Sequence, residues 1–99
     1  MKYRLGDTAP DLEWELNQDL TGADVTATYT KPNGEVTASV CTVIVENPGT
    51  DQVKSRIQFS WFEDDLNVLG IGKIQLRWTS GLETGTIHPV NGWNITVVP

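Results

Sequence analysis

The sequence holds one cysteine, Cys41, and one histidine, His88, the two residue types that together make a thiol nucleophile and its base. Nothing in their spacing joins them. Cys41 sits in Val40-Cys41-Thr42-Val43, an apolar and β-branched stretch in which a thiol reads as a small core side chain. A lone cysteine also excludes an internal disulfide.

Carboxylates are the next candidates. Glu63-Asp64-Asp65, with Asp7, Asp11 and Asp19, could offer oxygen ligands to calcium. They do not follow the EF-hand pattern of alternate ligands around a central glycine, so they read as solvated acids at loop ends. Glycoside hydrolysis would need two carboxyls about 5–10 Å apart across a cleft, and a domain of this size seldom has room for one. Trp14, Trp61, Trp78 and Trp93 could stack on a sugar ring, but each shares the parity of aliphatic neighbours two residues away, which places them in a core. Asn94-Ile95-Thr96 matches a glycosylation sequon, and with no apolar leader in Met1-Lys2-Tyr3-Arg4-Leu5-Gly6-Asp7 it reads as ordinary strand. The glycines are scattered at turns and form no phosphate cradle. No catalytic, cofactor-binding or metal-binding residue is assigned.

The elements that must position these residues follow a period of two throughout. Leu12, Trp14 and Leu16 alternate with acids, and Val25, Ala27 and Tyr29 alternate with threonines, which predicts two strands with one wet face each. Lys31-Pro32-Asn33-Gly34 has the chemistry of a hairpin turn, because proline presets one torsion and Asn-Gly tolerates positive φ. From Glu35 to Val45 the apolar parity changes near Cys41-Thr42, with Val36, Ala38 and Val40 on one side and Val43 and Val45 on the other. Such a change predicts a bulge or a break between two strands, with the bulge preferred.

After the breaker Asn47-Pro48-Gly49-Thr50-Asp51, residues 54–61 form the clearest strand, with Ile57, Phe59 and Trp61 inward. Residues 62–70 allow a short helical turn or a loop. Ile74, Leu76 and Trp78 mark the next strand, Leu82 to Ile87 returns, His88-Pro89-Val90-Asn91-Gly92 breaks, and Trp93, Ile95 and Val97 close the chain. The expectation is an all-β domain, residues 1–99, built as an immunoglobulin-like antiparallel β-sandwich of about seven strands.

Ninety-nine residues suit one core, to which four tryptophans contribute large apolar areas. A formal charge of −6 opposes general affinity for nucleic acid or for an anionic membrane. The longest apolar runs, such as Val43-Ile44-Val45, are too short to span a bilayer, and synthesis in a cytosol is expected.

The order of several short motifs carries a resemblance. Gly6-Asp7-Thr8-Ala9-Pro10, then Leu20-Thr21-Gly22-Ala23-Asp24-Val25, then Lys31-Pro32-Asn33-Gly34 are similar to the opening of the N-terminal domain of phage baseplate upper proteins. Phe59-Ser60-Trp61 followed by Asp64-Asp65-Leu66 and Gly70 resembles that family's passage from strand to aspartate to glycine to strand. Leu76-Arg77-Trp78, Gly81, Thr86, Pro89 and Ile95-Thr96-Val97 resemble its closing hairpin.

The resemblance implies an immunoglobulin-like module that attaches within a phage tail or baseplate through protein contacts and has no active site. Family members often continue into a fibre or coiled coil, and this chain stops at Pro99, so an adaptor, a tail accessory or a head decoration is expected. The expected function is therefore that of a non-enzymatic structural protein of a virion, with no cofactor. Its partners would be other virion proteins of tail, baseplate or major capsid, in a symmetric multi-copy assembly. The alternatives are a capsid decoration protein and a carbohydrate-binding adhesive module. Met1 to Pro10 and His88 to Pro99 are the expected contact segments.

Overall fold

The computed structural model describes residues 1–87, 89 and 92–99. Among them are nine strands and no helix: β1 (Lys2–Arg4), β2 (Leu12–Leu16), β3 (Asp24–Thr30), β4 (Val36–Val40), β5 (Thr42–Glu46), β6 (Lys54–Phe59), β7 (Gly70–Ser80), β8 (Glu83–Ile87) and β9 (Trp93–Val98). They form two packed sheets. The larger runs β1-β9-β7-β3-β4 with β8 also on β7, and the smaller runs β2-β6-β5.

β7 organises the larger sheet. Its residues Lys73 to Thr79 pair with β3 on one side, while its other side pairs first with β9 (Gly70 to Ile74) and then with β8 (Leu76 to Ser80). β8 and β9 thus share one flank of an eleven-residue strand. The chain passes between sheets at β1 to β2, β2 to β3, β4 to β5 and β6 to β7, and reverses within a sheet at β3–β4, β5–β6 and β7–β8.

The period of two correctly identified the inward faces of β2, β3, β6, β7 and β9: Leu12, Trp14, Val25, Ala27, Tyr29, Ile57, Phe59, Ile74, Leu76, Ile95 and Val97 are all buried. Trp61 forms the centre of an aromatic cluster, with edge-on contacts to Tyr3, Tyr29 and Phe59 at centroid distances of 5.3, 5.1 and 4.9 Å. Trp14 of the small sheet meets Trp93 of the large one at 5.1 Å. Ring pairs in such geometries add about 0.5–1.5 kcal/mol each beyond the area they bury.

Three expectations need correction. Nine strands replace about seven, because Lys2–Arg4 is a strand and because the stretch from 35 to 45 is two strands, not one bulged strand. At Cys41 the chain leaves the large sheet for the small one; its N–H donates to the Val25 carbonyl at 2.8 Å, and the parity change is the change of sheet. The sandwich is also not wholly antiparallel, since β1 runs parallel to β9 with Lys2, Tyr3 and Arg4 opposite Thr96, Val97 and Val98.

Residues 62–69 take the loop alternative. Within them Leu66 is fully buried, and the Leu66 carbonyl accepts from Gly6 N–H at 2.8 Å.

Candidate binding surface

Each side chain singled out for chemistry has a structural position. Cys41 is buried and free, and burial pushes its thiol up to about 11, so at neutral pH it stays protonated and poorly nucleophilic. His88 lies outside the described residues, and so does any pairing of it with Cys41.

The acids do not converge. Among the described residues no group of three or more His, Cys, Asp or Glu could hold a metal ion. Asp65 is buried and its carboxylate accepts the Phe62 N–H at 2.8 Å, which closes the turn after β6. Asp19 accepts from the Thr21 N–H at 3.0 Å and from the Gly49 N–H at 2.9 Å, tying the β2–β3 loop to the β5–β6 loop. These bonds, with that from the Thr21 hydroxyl first among them, hold the Asp19 carboxyl below its ordinary range.

Sequence reasoning missed a third polar joint, because a lysine after a strand signals solvent. Lys31 is only 6 % exposed, and its ammonium donates to the Asp64 carbonyl and to Asn67 Oδ1, both at 3.0 Å, with Glu35 at 3.5 Å. It pins the β3–β4 hairpin to the β6–β7 loop.

The tryptophans give no open platform. Trp14 and Trp61 are buried, while Trp78 and Trp93 are half-buried against the same core. Of the expected terminal segments, Lys2–Arg4 and Trp93–Val98 are strands of the large sheet, and Leu5 N–H donates to Val98 O at 2.7 Å and Thr96 N–H to Met1 O at 2.8 Å.

A shallow groove of about 400 Å³ lies at the hairpin end, lined by Thr30, Pro32, Gly34, Ile71 and Lys73 among others. Among the described residues no carboxylate, thiol or imidazole lines it.

What remains is surface, and its two faces differ. On the small sheet Lys54 pairs with Glu15 at 3.2 Å and Arg56 with Glu46 and Glu13 at 3.3 and 3.8 Å, so the two cations of that face are taken up by its three carboxylates. The outer face of the large sheet carries Lys2, Arg4, Lys73 and Arg77, against the single acid Asp24 in its strands on that face.

Its far edge is of another character. On β4 the half-buried side chains are Thr37 and Ser39, while Val36, Ala38 and Val40 face outward. A three-stranded sheet is too narrow to cover a larger one to its margin, so β4 gains no dry side and its valines stand exposed.

No family model, curated protein or solved structure matches the chain.

Proposed function

We propose that this chain is an immunoglobulin-like module serving as a non-enzymatic structural protein of a phage virion, in the tail or baseplate or as an adaptor, where it binds other virion proteins. One observation carries the reading: the motifs behind the resemblance occupy the joints of the sandwich. Lys31 anchors the β3–β4 hairpin, Asp65 closes the turn after β6, Leu66 fills the interior below it, and Gly70 begins β7 at φ 121° against Pro32.

The path of the chain favours the immunoglobulin-like description. From β2 to β8 the connections alternate between crossing the sandwich and reversing within a sheet, and one sheet extends past its central pair by a hairpin strand, as in variable-type domains. The inter-sheet disulfide of antibody domains has no counterpart here, since Cys41 is the only cysteine; the Trp61 cluster fills the interior instead.

Mass spectrometry of purified particles tests the proposal. Presence at a copy number fitting a ring supports a tail, neck or baseplate position, and a number matching the major capsid protein moves the chain to the head as a decoration protein. Absence from the particles removes the virion reading.

A further inference from the structure

The geometry points to β4 as a self-complementary edge on which a second copy of this chain docks, strand against antiparallel strand, about a two-fold axis at Ala38. An edge strand exposes unpaired backbone N–H and C=O groups, and proteins blunt such edges with charges, proline or bulges. The other margins follow that rule: β1 carries Lys2 and Arg4, β2 carries Glu13 and Glu15, β5 ends in Glu46 and β8 begins with Glu83. β4, Val-Thr-Ala-Ser-Val, has none of these devices. Val36 and Val40 are 60 % and 76 % exposed.

Charge selects the occupant. Each copy carries −6, so two copies approach closely only where the contact itself is uncharged. Next to β4 on the outer face stand Thr26, Thr28 and Thr30; Asp24 lies on β3 beyond the residues paired with β4, Glu35 just before β4 is paired with Lys31, and Lys73 and Arg77 lie one strand further in. In the paired arrangement β7 and its symmetry mate are five strand spacings apart, roughly 24 Å. That is well beyond the Debye length of about 8 Å at physiological salt. A charged partner strand would find no counter-charge along this edge.

A second copy supplies what fits. Antiparallel pairing centred on Ala38 sets Val36 opposite Val40 of the other copy, twice, with the small alanines between them, and the two-fold makes the contact closed. A five-residue edge is at the small end of specific interfaces, so the dimer is weak and gains strength only where copies are held close together. The inference concerns the isolated chain and stands apart from which particle it belongs to.

Sedimentation equilibrium of the full chain from about 10 µM to about 1 mM reads the association directly, a range in which a weak dimer populates. The mass should climb from 10.9 kDa toward twice that value. Val36→Lys with Val40→Lys places like charges opposite each other and should abolish the climb, whereas Val36→Lys with Val40→Glu places opposite charges there and should restore it. Both positions are exposed, and circular dichroism checks that the fold is kept. A wild type that stays monomeric overturns the inference, as does a double-lysine variant that still associates or a Lys/Glu variant no better than the double-lysine one.

Discussion

The indole of Trp78 lies against the backbone of Gly85, its partner across the β7–β8 pair, and fills the space that a side chain there would need. Gly85 is therefore a packing residue. Gly85→Val should expel the ring, red-shift the tryptophan emission and destabilise the fold by about 1–3 kcal/mol, as forced overpacking does. In a Trp78→Phe background the same substitution should leave the emission unmoved. An unchanged spectrum in the first case would mean that the indole does not occupy this site.

Lys31→Met keeps the stem of the side chain and removes its donors. The Asp64 carbonyl and Asn67 Oδ1 then lose the ammonium they share, in surroundings that leave Lys31 almost no solvent. A loss of about 1–3 kcal/mol is expected in urea unfolding. Glu35→Gln at the exposed end of the same ion pair should change stability by less than about 1 kcal/mol. Equal effects of the two substitutions would contradict the assignment of Lys31 as a buried joint.

Ser55 makes a comparable joint beneath the small sheet. Fully buried, it donates to the Gln18 carbonyl at 2.6 Å and accepts from the Leu20 N–H at 3.2 Å, which fixes the turn between β2 and β3. Ser55→Ala leaves both backbone groups without that partner and should lower stability by about 1–3 kcal/mol. Amide exchange should speed up at Leu20 before it does at Ile57. No acceleration at Leu20 would show that the hydroxyl does not hold the turn.

Side-chain alternation made most strands legible because a residue that is apolar every second position has one place to put that face. The same rule did not settle β4. Val36, Ala38 and Val40 alternate as a core face would, yet they point outward, since facing depends on how far the opposite sheet reaches and no local pattern records that. β1 was missed because three residues are too few to display a period, and its parallel partner is over ninety residues away. Lys31, Ser55 and Asp65 were not found from sequence because polar residues at strand ends usually meet water; only the meeting of distant loops makes them interior. The candidate binding edge was thus present in the sequence as an uncharged run, but its exposure was not.

The Cys41 thiol gives a dependence on pH whose sign follows from its burial. Desolvation is the larger influence and lifts the thiol from 9.0 to about 11, against a smaller lowering by a backbone hydrogen bond from Ala27. The unfolded chain therefore releases this proton at lower pH than the folded one. Between about pH 9 and pH 11 the folded state binds more protons, so stability falls as pH rises, by about 2 kcal/mol when the interval is crossed. Burial, with the Asp65 carboxylate adding to it, also raises Tyr29, which contributes with the same sign above pH 10. Cys41→Ala lowers stability at neutral pH through the lost packing, yet its urea midpoint should decline less steeply from pH 8 to pH 10.5 than that of the wild type. Parallel curves for the two proteins would show that Cys41 is not the group responsible.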